Sequence, residues 1–126
     1  MKSQKTPLHK VRGLGASHSG TGHFWRERVS SAALIPLSLW FAFAMLGLAG
    51  TREVTHLQFL SHPWNALLMA AFVVTTLYHM GLGLQVVIDD YVHTSGMKIF
   101  LLLLVRFFVI APSVTCLFAL GRIALG

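Results

Sequence analysis

Three long apolar stretches, separated by short polar segments, set the pattern of this chain. Residues 29–50 and 64–88 contain no Asp, Glu, Lys or Arg, and residues 99–121 contain only Arg106. At about 1.5 Å of rise per residue, a helix over any of these crosses a hydrocarbon core roughly 30 Å thick with some tilt. The pattern predicts an all-α integral membrane fold with three transmembrane helices, over about 27–50, 63–91 and 97–124. Residues 1–22 break the pattern. They are basic, rich in Gly, Ser and His and not amphipathic, so they are expected to form an irregular arm ahead of a membrane anchor over 23–126. Residues 51–63 are expected to be a loop.

Composition sharpens this picture. Of 126 residues, 55% are hydrophobic and 11% charged, and the mean hydropathy is +0.68. A soluble domain carries about 25% charged residues, so this chain has too little polar surface to cover itself in water. The first apolar run starts too late and is too long for the apolar part of a cleavable signal peptide. The basic, acid-poor arm leaves a mitochondrial transit sequence open as an alternative, and with it the mitochondrial inner membrane beside the bacterial one.

Charge sets the expected orientation. Lys2, Lys5, Lys10, Arg12, Arg26 and Arg28 precede the first apolar stretch and Lys98 follows the second, whereas the first connection holds only Arg52 and the tail only Arg122. The excess of Lys and Arg places the N-terminus and the second connection in the cytoplasm and the C-terminus in the periplasm. The net charge of +6 is spent at membrane surfaces, and no nucleic-acid partner is expected. The arm can bind anionic lipid or help dock an extrinsic subunit.

Within the helices a few residues stand out. Phe24 and Trp25 beside Arg26, Glu27 and Arg28 suit an anchor at headgroup level, followed by a polar entrance at Ser30 and Ser31 and a proline, Pro36, expected to kink the first helix. Arg28 reads either as a snorkelling anchor or as a cationic partner for an anionic or carbonyl group. Arg106, inside the third helix with Pro112, reads either as structural or as approaching a cofactor carboxylate. The single Cys116 can form no internal disulfide and packs as a small apolar residue. His9, His18, His23, His56, His62 and His93 read as solvated.

The second helix carries the one histidine at membrane depth, His79. An ionisable residue there is costly and is by default functional. With about 100° per residue, Gly83 lies about 40° and Asp90 about 20° from His79, whereas Gly81 points to the opposite side. One stripe thus offers a deep imidazole, a smooth glycine about one turn away, and a carboxylate beside the Tyr91 phenol some 16–18 Å further along. Imidazole is a usual axial ligand of haem iron, and a flat macrocycle can lie over the glycine. A hydrogen bond from His79 to a neighbouring helix explains the residue equally well. A second axial ligand has to come from another chain. Tyr91 alone also reads as an interfacial anchor.

His79, Gly83, Asp90 and Tyr91 reproduce the His-x3-Gly-x6-Asp-Tyr pattern of the succinate dehydrogenase hydrophobic membrane anchor family, the D subunit of respiratory complex II. The run Tyr78-His79-Met80 through Asp89-Asp90-Tyr91-Val92-His93 resembles the alphaproteobacterial and mitochondrial branch of that family. So do Gly22-His23-Phe24-Trp25-Arg26-Glu27-Arg28 and Leu34-Ile35-Pro36-Leu37. The resemblance spans most of the chain. It departs at Gly81, where arginine is frequent in similar sequences, so any contact made by that arginine is absent.

The resemblance implies that His79 is an axial ligand of haem b, shared with a histidine of a cytochrome b-type anchor C subunit, and that Arg28 approaches a haem propionate. It implies that Tyr91 hydrogen-bonds a ubiquinone carbonyl, with Asp90 orienting that site or passing protons. The expected partners are the C subunit, an iron-sulfur subunit and a flavoprotein, with membrane lipid around them. The expected function is that of a succinate dehydrogenase subunit in the respiratory chain, carrying electrons from succinate to ubiquinone without catalysing alone. A fumarate reductase anchor shares the same residues. A small proton-coupled transporter or assembly protein is a more distant alternative, disfavoured because one His, one Arg and an isolated carboxylate pair make a thin polar path.

Overall fold

A computed structural model describes residues 20–126; most of the expected basic arm, with His9 and His18, lies outside them. Within the described residues four helices follow one another: α1 (Gly20–Leu48), α2 (Glu53–Ser61), α3 (Pro63–Tyr91) and α4 (Ser95–Leu125). α1, α3 and α4 are each long and apolar enough to cross a membrane.

The first helix begins at Gly20, several residues before the expected start near 27. Side-chain pairs one turn apart support this extra length. His23 Nε2 lies 3.2 Å from Glu27 Oε1, and the Arg28 guanidinium sits over the Phe24 ring, 5.3 Å from its centroid. Such pairs each favour a helix by about 0.2–0.5 kcal/mol. Charge therefore marks where the membrane begins, not where the helix begins, and His23 is a helical residue paired with an acid. α1 also runs uninterrupted through Pro36.

Residues 51–63, expected as a loop, contain α2. Gly50, at φ +76°, reverses the chain after α1, in a conformation glycine adopts without steric cost. The Thr51 backbone N–H and hydroxyl then donate to the Leu48 carbonyl at 3.1 and 2.7 Å. His56 Nε2 donates to the same carbonyl at 3.1 Å. Stacking of Phe59 on Trp40, with centroids 6.1 Å apart, ties α2 back to α1. His62 accepts from the Trp64 N–H through Nδ1 at 3.3 Å, capping α3, with Pro63 at the position where a missing N–H costs nothing. His56 and His62, expected as solvated, thus satisfy helix ends.

The three long helices form one layer. α3 lies in the middle, packed against α1 on one flank and α4 on the other, while α1 and α4 make at most marginal contact. Serine and threonine hydroxyls within the helices return to carbonyls one turn back, Ser113 to Val109 at 2.6 Å and Thr115 to Ala111 at 2.9 Å. This is how hydroxyls are accommodated where no water can solvate them. Buried apolar side chains are few, namely Ala66, Leu82, Ile88 and Leu120, whereas Phe43, Leu46, Phe107 and Phe118 stand exposed. In water such a surface fails; in lipid, and against other helices, it is at home.

Candidate functional site

The layer brings α1 and α3 together antiparallel, because Ser30 meets His79 while Phe41, further along α1, stacks on Phe72, earlier in α3. The Phe41 and Phe72 rings are stacked with centroids 4.5 Å apart. Toward the N-terminal end of α1 the contact becomes polar. Ser30 is 5% exposed, and its Oγ lies 3.0 Å from the Glu27 carbonyl oxygen and 2.8 Å from His79 Nδ1.

Taken together, these two contacts favour one tautomer of His79. A hydroxyl has one hydrogen, and a carbonyl oxygen can only accept. Satisfying both contacts at once requires Ser30 to donate to Glu27 and to accept from the Nδ1–H of His79. Nε2 of the neutral ring then holds the free lone pair. Among the described residues no hydrogen bond involves Nε2. The two explanations of this residue are therefore compatible: one nitrogen bonds a neighbouring helix, and the other is a competent metal ligand, the arrangement in which the second nitrogen's partner fixes the ring.

The surroundings suit a macrocycle. A Cβ built on Gly83, one turn from His79, meets nothing within 4 Å. Among the described residues no three His, Cys, Asp or Glu side chains cluster to hold a bare ion. A single imidazole suits a metal whose equatorial ligands come with it. Gly81 on the opposite side serves packing instead. A Cβ there falls 2.7 Å from Val109 Cγ2, so its hydrogen is what lets α4 approach α3.

The other predicted residues lie apart. Tyr91 is 79% exposed at the end of α3, next to exposed Asp90, about 16–18 Å along the helix from His79. Asp89 is engaged instead, 3.2 Å from Lys98 Nζ across the turn into α4, which leaves Asp90 and Tyr91 open. Arg28 is two positions from Ser30, hence about 200° away around α1, and stacks on Phe24. It is not brought to His79. Arg26 faces the α1–α3 junction and borders a hollow with Ser30 and Tyr78. Ser30 went unassigned from sequence beyond its polarity. Its signal was a hydroxyl at membrane depth at the level of an imidazole, which only pairing of the helices makes readable.

A layer of membrane-length helices, with an imidazole bonded across its α1–α3 seam and an open phenol at the end of α3, defines a multi-pass helical membrane protein. Residues 2–111 match the succinate dehydrogenase/fumarate reductase transmembrane subunit family, and the chain belongs to that family. It is 34% identical over 123 residues to the succinate dehydrogenase hydrophobic membrane anchor subunit of Paracoccus denitrificans, covering 96% of this chain and 93% of that one. The corresponding subunit of Rickettsia bellii is 30% identical over 115 residues, covering 91% and 92%. The succinate dehydrogenase membrane anchor subunit of Reclinomonas americana is 29% identical over 102 residues, covering 79% and 82%.

Proposed function

We propose that this chain is the hydrophobic anchor of a membrane-bound succinate dehydrogenase, assembling with a cytochrome b-type partner, an iron-sulfur subunit and a flavoprotein in the inner membrane. It catalyses nothing alone. The N-terminus and the α3–α4 connection face the cytoplasm, as the distribution of Lys and Arg favours. The single observation that carries the site is the 2.8 Å contact between Ser30 Oγ and His79 Nδ1.

In this reading Nε2 of His79 would hold haem b, together with a histidine of the cytochrome b-type partner. When bound, the haem supplies a one-electron site at membrane depth, its potential set by its ligands and by the dry surroundings. Ser30 keeps the imidazole in the ligating tautomer and Gly83 leaves space beside it. At the open end of α3 the Tyr91 hydroxyl donates a hydrogen bond to a carbonyl of ubiquinone, polarising it toward reduction. Reduction to the quinol consumes two electrons and two protons, and the Asp90 carboxylate, at the water-facing edge, is placed to pass those protons. His79 is too far away to do so.

Replacing His79 by Ala in the intact complex tests the reading. Loss of the b-type reduced-minus-oxidised absorbance, with the four subunits still co-purifying, is the expected result. An unaltered spectrum would remove His79 from the ligand set.

A further inference from the structure

The face of the layer that carries Tyr78 contains a groove that adjoins the Ser30–His79 contact. At its polar end a recess of about 340 Å³ is bordered by Arg26, Tyr78, Gln85 and Arg106. Arg26 and Tyr78 also border an adjoining hollow of about 430 Å³, whose other walls are Trp25, Val29, Ala33 and Val74 with the hydroxyl-bearing Ser30 and Thr75. Because α1 and α3 are antiparallel, the steps from Arg26 to Ala33 and from Tyr78 to Val74 run the same way, toward the middle of the membrane. The two spaces are therefore one groove, polar near the surface and apolar below.

Its charge is one-sided. Two guanidinium groups border the recess, together with a phenol and an amide that can both donate, and no carboxylate lines either space. The nearby acids are occupied, Glu27 by His23 and Asp89 by Lys98. Arginine in a membrane is retained where it meets an anion or reaches the interface. Depth is consistent with a headgroup. The 29 residues of α1 extend about 43 Å, some 13 Å more than the hydrocarbon core, so Arg26, about 9 Å from the helix start, stands near the hydrocarbon edge. Arg106 lies deeper, about 16 Å from the start of α4, and a side chain of its length can span several ångströms of that depth.

We infer that this groove binds one anionic phospholipid, the phosphate held between Arg26 and Arg106, with the Tyr78 hydroxyl and Gln85 amide donating to it, and one acyl chain in the apolar hollow. Bidentate guanidinium–phosphate pairing gives the site its preference over neutral amphiphiles, a ubiquinone included.

The test uses the intact complex, exchanged into nanodiscs of equal phosphatidylglycerol and phosphatidylcholine, then delipidated gently and weighed by native mass spectrometry. The wild-type complex is expected to retain phosphatidylglycerol over phosphatidylcholine by about tenfold or more, as two cationic side chains imply. Equal retention of the two lipids overturns the proposal without any variant. In the R26Q/R106Q double variant the preference is expected to vanish while the b-type spectrum persists. Unchanged retention in the variant overturns the proposal. A lost or shifted haem spectrum with lipid retention intact does so too, and assigns the arginines to haem carboxylates.

Discussion

The two flanks of α3 are held by different physics. Against α4 the contact is made by an absence: Gly81 offers no Cβ, and Val109 and Val105 fill the space. Against α1 it is made by a presence, the Ser30 hydroxyl on His79, backed by the Phe41–Phe72 stack. Lipid tails are as apolar as leucine, so helices in a membrane gain little from burying oil and associate through close packing of small residues and through hydrogen bonds. Here one helix uses both devices, on opposite faces. The packing flank brings no polar side chain to the close approach at Gly81, and the polar flank carries the imidazole.

That division has measurable consequences. The largest effect is expected at Gly81→Leu, which drives a side chain into Val109 and separates α4 from α3; the complex should fail to assemble, seen as loss of co-purifying subunits from detergent extracts. Gly83→Ala, two residues away in open space, should assemble normally, and equal damage from both would erase the distinction between the faces. Next comes Tyr91→Phe, expected to lower succinate:ubiquinone activity by about 10²-fold or more, as loss of a positioned proton donor does, while succinate oxidation by a soluble dye survives. Parallel loss of both activities would mean failed assembly.

Ser30→Ala should act on the polar flank alone. Removing the acceptor from Nδ1–H makes the imidazole a weaker electron donor, so the haem midpoint potential should shift positive and haem retention fall by about 10-fold. A titration overlapping the wild type would reduce Ser30 to a packing residue. The smallest effect is expected at Lys98→Ala. An exposed ion pair such as Lys98–Asp89 contributes about 0–1 kcal/mol, so thermal stability of the complex should barely change.

Much of this architecture was legible before any folding. Runs of uncharged apolar residues announce membrane helices because backbone polar groups in lipid are satisfied only within a helix or a closed barrel, and His79 announced itself because imidazole in hydrocarbon is costly. The start of α1 was misplaced for the same reason that the membrane boundary was easy to find: charge reports solvent, and a helix can continue into it on the strength of pairs such as His23–Glu27. α2 was missed because Val54, Leu57 and Leu60 follow a polar connection too short to show a period.

The sequence by itself determined the number of membrane helices, the depth of the imidazole and the separation of Tyr91 from it, since all three follow from rise per residue along single helices. Only the tertiary structure decided that Ser30 faces His79, that Gly81 is a packing residue and Gly83 an open one, and that Arg26 and Arg106 border one recess. Those facts depend on the relative rotation of neighbouring helices, which periodicity within one helix leaves free and contact between helices sets.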